Sequence, residues 1–489
     1  MNGNLFDLLR SHWAVAPDRQ FLVPDSGTPL TYRDVDDRSG QFATALRSLG
    51  AGVGDRVVVQ INKSTDAVAI YLACLRIGSV YVPLNTAYTD SEVEYFLADA
   101  EPAVYVHEDQ SGADRSPVAI DVHTLAERAT ASEPWLGVET RLADDLAAMV
   151  YTSGTTGRSK GAMLTHANLT SNALTLHAIW RFTPGDVLLH ILPIYHVHGL
   201  FVALHTAMLN ASTVLFCERF DPARVIELLP EATVMMGVPT HYARLLDHDE
   251  FSSSTCSNIR LLTSGSAPMT EQLHESVQNR TGHLILERYG MTETGMITSN
   301  PYEGDRVPGT VGFPLPAVRI RVVDGEGNEC GHGQPGVVEV QGPNVFAGYW
   351  RLPERTAEEH HDGWFITGDV GALDEQGRLT LEGRAGDMII SGGLNVYPRE
   401  VELVLDDLPE IAESAVVGLP DDDFGERVAA AVVLAPGAVL DTDKLTSTLR
   451  ASLAPFKVPR VFAAVNELPR NSMGKTQKTV LRGDPEMWA

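Results

Sequence analysis

Short apolar runs alternate with helical stretches through the first two thirds of the chain, and this alternation restricts the fold more than any other feature. The run Arg56–Ile61 predicts a buried strand, Ala67–Ile77 an apolar helix, and Ser79–Val82 the next strand. Uninterrupted apolar strands are typical of parallel sheets that carry helices on their faces. The pattern therefore predicts an α/β fold in which ligands bind at the carboxyl ends of the strands.

The same pattern divides the chain into domains. Further buried strands are predicted at Ala147–Tyr151, Val187–Leu192, Thr213–Phe216, Thr233–Gly237, Ile259–Leu262 and Leu284–Leu286. Residues 307–383 are rich in Gly, Pro and short strands, which favours a small β subdomain. We predict a large N-terminal domain, residues 1–384, with parallel-rich sheets covered by helices, and a smaller α+β C-terminal domain, residues 385–489.

Charge and cysteine content exclude several classes of protein. The 489 residues include 37 Lys and Arg against 64 Asp and Glu, a formal net charge of −27. A chain this acidic repels phosphate backbones and anionic lipid, which argues against nucleic-acid and membrane partners. The four cysteines lie far apart, and no apolar stretch reaches the length of about 18 residues that a membrane span needs. We expect a cytoplasmic protein that binds small molecules.

The strongest local motif is AMVYTSGTTGRSKG, residues 148–161. An apolar strand leads into a loop of Thr, Ser and Gly that ends in Lys160, a composition that presents backbone N–H groups, hydroxyls and one positive charge to a phosphate. The Gly spacing and the Gly161 that follows the lysine do not match a P-loop. The predicted phosphate-binding residues are Thr152, Ser153, Gly154, Thr155, Thr156, Gly157 and Lys160.

Three further motifs are weak when each is taken alone. In LILERYGMTET, residues 284–294, Tyr289 offers a ring for base stacking and Glu293 an oxygen ligand for Mg²⁺, although a satisfied loop carboxylate is the plainer interpretation. Asp369 follows an aromatic strand and precedes Arg384, and a carboxylate can accept both hydroxyls of a ribose; a structural Asp–Arg pair is the alternative. Near the end of the chain, a turn presents Lys475, which alone would indicate a solvated basic loop.

Together, in this order, the motifs resemble those of the adenylate-forming superfamily of acyl-CoA synthetases, luciferases and nonribosomal adenylation domains. Within it the chain is most similar to the malonyl-CoA synthetases, through PIYHVHGLF (193–201), MGVPTHYARLL (236–246), ERYGMTE (287–293), NPYEGDRVPGTVG (300–312) and SGGLNVYPRE (391–400). The resemblance implies an AMP-forming acid–thiol ligase. Such an enzyme uses ATP, Mg²⁺ and coenzyme A to convert malonate, through malonyl-adenylate, to malonyl-CoA, AMP and pyrophosphate.

The resemblance also implies roles for individual residues. Lys475 would be catalytic and would neutralise the charge that develops as the acid meets the α-phosphate. Glu293 would ligate Mg²⁺ with Thr152 nearby, and Gly392 and Gly393 would line the CoA channel once the C-terminal domain has rotated. The remaining ATP-binding residues would be Gly265, Ser266, Ala267, Glu287, Tyr289, Thr292, Asp369 and Arg384. At the pivot this chain has Gly386 where many relatives carry Asp or Lys.

The choice of acid depends on a cation in the acyl pocket, because a second, buried carboxylate needs a partner. Arg288 is the first candidate, with an ion pair to Glu287 as its alternative. His198, Arg244 and Ser264 are the others, and a core histidine and an exposed helix arginine are the alternatives for the first two. Three rival functions remain: a ligase for methylmalonate or another small acid, an adenylating domain that loads a carrier protein, and a catalytically inactive binding protein.

Overall fold

The computed structural model describes residues 2–108, 118–152, 159–391, 394–421, 425–453, 455–471 and 475–488. The strands of the first 300 residues are β1 (Gln20–Pro24), β2 (Leu30–Thr31), β3 (Arg56–Gln60), β4 (Val80–Pro83), β5 (Val104–His107), β6 (Ala119–Asp121), β7 (Leu146–Thr152), β8 (Lys160–Thr165), β9 (Val187–His190), β10 (Thr213–Phe216), β11 (Val234–Gly237), β12 (Leu261–Ser264), β13 (Leu286–Met291) and β14 (Gly295–Ser299).

The later strands are β15 (Phe313–Pro314), β16 (Arg319–Val323), β17 (Gly336–Gln341), β18 (His360–His361), β19 (Trp364–Leu373), β20 (Leu379–Arg384), β21 (Ile389–Ser391), β22 (Leu394–Val396), β23 (Ile411–Asp421), β24 (Gly425–Leu434) and β25 (Val461–Val465). The helices are α1 (Leu5–Trp13), α2 (Tyr32–Ser48), α3 (Thr65–Arg76), α4 (Asp90–Ala100), α5 (Val122–Thr130), α6 (His166–Ile179), α7 (His205–Met208), α8 (Pro222–Leu228), α9 (Pro239–Leu246), α10 (Glu271–Thr281), α11 (Pro353–Glu358), α12 (Pro398–Asp406), α13 (Thr442–Ser452) and α14 (Lys478–Arg482). A π-helix, His198–Leu204, precedes α7.

Within the described ranges, two large sheets dominate the N-terminal part. One has nine strands in the order β15-β14-β13-β12-β11-β9-β10-β1-β2, and the other has six in the order β6-β5-β3-β4-β7-β8. The inner pairs are parallel, as expected for apolar strands connected by helices, while the edge pairs β1–β2, β13–β14, β14–β15 and β7–β8 are antiparallel. The parallel-rich α/β fold is confirmed, and its edges are antiparallel hairpins.

Two of those edge hairpins carry predicted motifs. The hairpin of β7 and β8 pairs Thr152 with Lys160 across the phosphate-binding loop. The strand predicted at Leu284–Leu286 is wrong in its bounds, because β13 begins at Leu286 and continues through the ERYGM residues before turning into β14. Gly290 permits this close hairpin, since a Cβ there would lie 2.1 Å from the Gly295 carbonyl oxygen.

Two antiparallel-rich sheets complete the fold. The first contains β16, β17, β19, β18 and β20, and its pairing sets Asp369 directly opposite Arg384. The second follows Arg384 and contains β22, β21, β24 and β23, with β25 added parallel to β24. A single turn, Ala385–Asp387, connects the two sheets, and its middle residue Gly386 has open space around the position of a Cβ.

The packing follows from the apolar runs of the sequence. Helix α3 has ten buried residues and lies between α2 and the six-stranded sheet, and Ser64 caps it by accepting from the Ala67 N–H. The C-terminal sheet has its own apolar core around Val401, Val416 and Val432. None of the helices described is both long and apolar enough to cross a membrane.

Candidate active site

The phosphate-binding motif lies at the tip of the β7–β8 hairpin. Residues 153–158 lie outside the described part of the chain, so the roles of Ser153, Gly154, Thr155, Thr156 and Gly157 remain predictions. At the start of the loop, the Thr152 hydroxyl is buried and has no hydrogen-bond partner among the described residues. A buried hydroxyl without a partner loses hydrogen bonds that water would supply, so a ligand oxygen or a metal ion fits this position.

Lys160, at the other end of the loop, is held by a network that the sequence analysis missed. Its Nζ lies 2.9 Å from Oε1 of Glu359 and 4.2 Å from the centre of the Tyr349 ring. The Tyr349 hydroxyl lies 2.5 Å from Oε2 of Glu359 and 3.0 Å from Oε1 of Glu293. Burial works against the charge of Glu359, but Lys160 and Tyr349 hold the pKa of this carboxyl below its usual value. The lysine is thus directed toward the side on which Glu293 lies.

Glu293 stands in the turn between β13 and β14, with half-buried Thr292 beside it. It is 5% exposed, and burial raises the pKa of its carboxyl. No group of three or more His, Cys, Asp or Glu residues forms a metal site by itself in the described ranges. Mg²⁺ commonly uses one or two protein oxygens and completes its shell with phosphates and water. Glu293 and the partnerless Thr152 hydroxyl fit that kind of site.

Asp369 lies where the five-stranded sheet meets the end of β13. Its Oδ2 accepts a hydrogen bond from the Tyr289 hydroxyl, and its Oδ1 lies 2.7 Å from Nε of Arg384. Arg384 also donates to the Thr367 carbonyl at 3.2 Å. A carboxylate offers about four acceptor positions, so two stay open for ribose hydroxyls. The structure therefore brings Tyr289, Asp369 and Arg384 together, as the motifs predicted.

Lys475 lies between β25 and α14, close enough to Arg384, Asp369 and Glu293 for their charges to act on it. Its backbone N–H donates to Oδ1 of Asn471 at 3.0 Å, and this closes the turn that presents it. The side chain is open to the cleft, but protein surrounds it. Burial lowers the pKa of Lys475, Arg384 and Arg288 lower it further, and Asp369 and Glu293 oppose them. The catalytic lysine predicted from the sequence thus shares one cleft with the ribose and metal residues.

His196 is a second residue of this cleft that the sequence analysis missed. Burial and the charge of Lys475 lower the pKa of its imidazole to about 3, so the ring is neutral. Its Nε2 is buried and has no partner in the ranges that the structure describes. Its position in PIYHVHGLF, two residues before the predicted His198, is the signal that could have found it.

Arg288 is a buried cation without a counterion among the described residues. It is 2% exposed, and none of its three guanidinium nitrogens has a hydrogen-bond partner among the described residues. Burial lowers its pKa to about 9. The guanidinium lies directly over Gly265, where a Cβ would stand 2.2 Å from Nη1. A buried cation of this kind requires an anion as its partner. The absence of a side chain at Gly265 leaves the space that the Arg288 guanidinium occupies.

Beside Arg288, the predicted acid-binding residues His198 and Ser264 are both buried. His198 Nδ1 lies 3.4 Å from the hydroxyl of Ser266, whose φ of +68° is a strained conformation for a residue other than glycine. Burial and the charge of Arg288 lower the pKa of His198 well below its usual value, so its ring is neutral. Because the Ser264 hydroxyl has no described partner, it can bond to a substrate oxygen. Ala267, next to Ser266, is half-buried at this edge.

Two predicted residues are placed elsewhere. Glu287 alternates with Arg288 along β13 and faces the other side, where its Oε1 accepts from the Gly309 N–H at 3.0 Å. This contact leaves the ATP-binding role of Glu287 a prediction, and the described structure shows no ion pair between Glu287 and Arg288. Arg244 is an exposed residue of α9, and its role in binding the acid also stays a prediction. The CoA-channel residues Gly392 and Gly393 lie outside the described residues.

Comparison with known proteins agrees with this geometry. The family model for AMP-binding enzymes matches residues 9–350, and the model for the AMP-binding enzyme C-terminal domain matches residues 400–475. The chain is 37% identical to malonate–CoA ligase ACSF3, mitochondrial, of Mus musculus, over 95% of this chain and 88% of that protein. It is 34% identical to a feruloyl-CoA synthase of Amycolatopsis sp, over 94% and 95%. The crystal structure of ATP-bound MatB from Rhodopseudomonas palustris superposes with a TM-score of 0.96 at 48% identity, over 99% of both chains. The chain therefore belongs to the family of AMP-binding enzymes.

Proposed function

We propose that the protein is an ATP-dependent malonate–CoA ligase that forms malonyl-CoA, AMP and pyrophosphate. The observation that carries the choice of acid is the buried guanidinium of Arg288, which has no partner among the described residues. Fatty and aryl acids would leave that charge uncompensated, whereas a dicarboxylate supplies its anion. The relatives named as malonate–CoA ligases support the same choice.

In the first reaction, one carboxylate of malonate attacks the α-phosphate of ATP and pyrophosphate leaves. Lys475 stands between the residues of the ribose site and Arg288, where its charge stabilises the two anions as they approach. Arg288 binds the distal carboxylate through two parallel hydrogen bonds, and the neutral His198 and Ser264 complete the pocket. Binding the distal end in this way leaves the near carboxylate free to react.

ATP is held at three places along the cleft. Asp369 binds the ribose hydroxyls, with Arg384 fixing the carboxylate, and Tyr289 lines the adenine site. Lys160 and the loop that precedes it bind the β- and γ-phosphates. Glu293 and Thr152 hold Mg²⁺, which when bound neutralises charge on the phosphate oxygens.

In the second reaction, the thiol of coenzyme A attacks the malonyl-adenylate and AMP leaves. Residues 385–489 form the domain that moves between the two reactions, turning about Gly386 with respect to residues 1–384. Gly386 has no side chain and has open space around the position of a Cβ, so a backbone rotation at this residue is not blocked by a clash. Rotation withdraws Lys475 and brings Gly392 and Gly393 to the CoA channel.

A panel of acids assayed for AMP release, with and without coenzyme A, tests the function. The panel contains malonate, methylmalonate, succinate, acetate and ferulate, and mass spectrometry identifies the thioester. We expect malonyl-CoA, and a kcat/KM for malonate that exceeds the value for acetate by a factor of about 10² or more, because acetate leaves Arg288 unpaired. Preference for ferulate or acetate would refute the assignment. Pyrophosphate exchange with malonate but no malonyl-CoA would instead identify an enzyme that loads a carrier protein.

A further inference from the structure

A lysine outside the catalytic cleft contacts the segment that carries the acid-binding histidine. Lys63 lies between β3 of the six-stranded sheet and α3, and its Nζ reaches across to the nine-stranded sheet. There it lies 2.8 Å from Nδ1 of His190 and 2.9 Å from the carbonyl oxygen of the same residue. No carboxylate lies within ion-pair distance of Lys63 in the described part of the chain. Lys63 therefore contacts His190 at both its ring and its backbone.

The other ring nitrogen of His190 makes a bond that fixes the tautomer. Nε2 lies 2.9 Å from the carbonyl oxygen of Gly199, and a carbonyl can only accept, so Nε2 carries a proton. Burial lowers the pKa of His190 well below its usual value, so the ring is neutral and Nδ1 is bare. Nδ1 then accepts from Lys63, whose amine donates in either protonation state. The two hydrogen bonds run in one direction, from Lys63 through His190 to Gly199.

This series of bonds closes the segment 190–199, which carries both histidines of the cleft. His190 stands at the carboxyl end of β9, and Gly199 is the second residue of the π-helix His198–Leu204. Gly199 is also packed so tightly that a Cβ would lie 2.1 Å from the carbonyl oxygen of Pro193. π-Helices are uncommon and are often found at functional sites. The hydrogen bond between His190 and Gly199 therefore joins the two ends of the segment, and His198 is the residue directly before Gly199.

We propose that Lys63 is a positioning residue for acid selection: through His190 and Gly199 it holds the segment 190–199 so that His198 stays beside Ser266 and Arg288. This rests on the proposed function, because it takes that pocket to be the malonate site. Lys63 itself touches no reacting group. The residues of the ribose site stand on β13, β19 and β20, and no hydrogen bond among the described residues joins them to this series. Loss of Lys63 should therefore change the binding of the acid and leave the binding of ATP unchanged.

The kinetic test compares Lys63→Met, which keeps the apolar stem and removes the donors, with a matched control, Arg56→Met. Arg56 is on β3 and likewise donates to backbone carbonyls, those of Ala100 and Glu101 at 2.8 and 2.7 Å, but far from the segment. Lys63→Met loses both hydrogen bonds to His190, and we expect it to raise KM for malonate about tenfold or more, with KM for ATP within about twofold. Arg56→Met should change neither. Equal changes in both KM values, or an unchanged KM for malonate, would overturn the proposal.

Two variants of His190 separate positioning from general stability. A glutamine amide can donate to Gly199 and accept from Lys63, so His190→Gln should keep KM for malonate within about threefold of the original. His190→Leu can do neither and should match Lys63→Met. If His190→Gln is as impaired as His190→Leu, the hydrogen-bonded series does not position the segment.

The tautomer gives a readout that needs neither malonate turnover nor a variant at Lys63. The ¹⁵N-histidine signal of His190 is assigned as the one that is missing from the spectrum of His190→Gln. In the unaltered protein, this signal should show a protonated Nε2 and an unprotonated Nδ1. Protonation at Nδ1 would overturn the proposal, because Lys63 could not then donate to that atom. If the protein makes no malonyl-CoA, the proposed function fails, and this spectrum still decides whether the hydrogen-bonded series exists.

Discussion

Replacing Arg288 by methionine should make the protein more stable and at the same time disable its use of malonate. Arg288→Met keeps a long apolar side chain over Gly265 but removes a charge that has no partner among the described residues. Its effect on stability follows from the pKa of the guanidinium, which burial lowers from its usual value to about 9. That difference corresponds to a penalty of about 5 kcal/mol on the charged form, fully present at any pH below 9. We expect the variant to gain a few kcal/mol at pH 7.

The loss in catalysis has a separate origin. Without Arg288 the distal carboxylate of malonate would be buried without a cation, which typically costs about 3–5 kcal/mol. Expressed as kcat/KM for malonate, this is a fall of about 10²–10⁴-fold, while KM for ATP should stay constant. Acids with one carboxylate, such as acetate, should be used better than by the original enzyme. Thermal unfolding and initial-rate kinetics measure the two effects independently.

Arg76→Met is the matched control. Arg76 is also fully buried, but it is paired with Asp36 and donates to the Trp135 carbonyl at 2.7 Å. Asp36 keeps Arg10 as a second partner, but removal of Arg76 breaks its hydrogen bonds to Asp36, to Ser39 and to the Trp135 carbonyl, and should destabilise the protein by about 1–3 kcal/mol. If Arg288→Met destabilises as much as this control, Arg288 has a partner in the protein and the reasoning is refuted. An unchanged kcat/KM for malonate would equally refute it.

Two other variants test the cleft, and a third tests the buried carboxyl of Glu287 on the other side of β13. Gly265→Ala should lower kcat/KM for malonate about tenfold or more, because its Cβ would displace the Arg288 guanidinium, and the same change should cost less in an Arg288→Met background; a double-mutant cycle measures the difference. Lys475→Ala should slow pyrophosphate release about 10²–10³-fold yet leave the reaction of supplied malonyl-adenylate with coenzyme A within about threefold, and slowing of both would contradict the role in adenylation. Burial raises the pKa of Glu287 to about 8, so the folded protein holds a proton that the unfolded chain releases above its ordinary pKa of 4.5, and stability falls as the pH rises from 4.5 to about 8. Glu287→Gln should abolish this fall and have the higher melting temperature at pH 9, as calorimetry across that range would show.

Much of the fold was predictable because apolar runs report burial directly. Strand β10 begins and ends where its apolar run predicts, at Thr213–Phe216, and its last three residues are buried. The register at the end of β13 was not predictable. A strand that turns sharply at Gly290 and pairs with β14 has the same composition as a loop, and only the packing of the Gly295 carbonyl distinguishes the two.

The candidate site was predictable where one motif carries the chemistry and not where distant segments combine. Asp369 and Arg384 are fifteen positions apart and face each other across a hairpin, so their motif was informative. Glu359 is 199 positions from Lys160, and nothing in its local sequence indicates that the two form an ion pair. Lys63 and His190 are 127 positions apart; Lys63 follows a strand of the six-stranded sheet, and His190 ends a strand of the nine-stranded sheet. Such pairs depend on how the sheets pack together, which local periodicity does not encode.

The cleft concentrates positive charge in a chain whose net charge is −27. Burial, Arg384 and Arg288 lower the pKa of Lys475, and burial lowers the pKa of Arg288, so the free protein holds these two charges at a cost in stability. The anions that relieve the repulsion are the substrates themselves. A ligand present at a hundred times its Kd adds about 2.7 kcal/mol to the stability of the state that binds it. Malonate alone should therefore raise the melting temperature of the original protein and leave that of Arg288→Met unchanged. An equal rise in both would mean that the dicarboxylate binds elsewhere. The buried charge of Arg288, which lowers the stability of the free protein, would then bind a different anion.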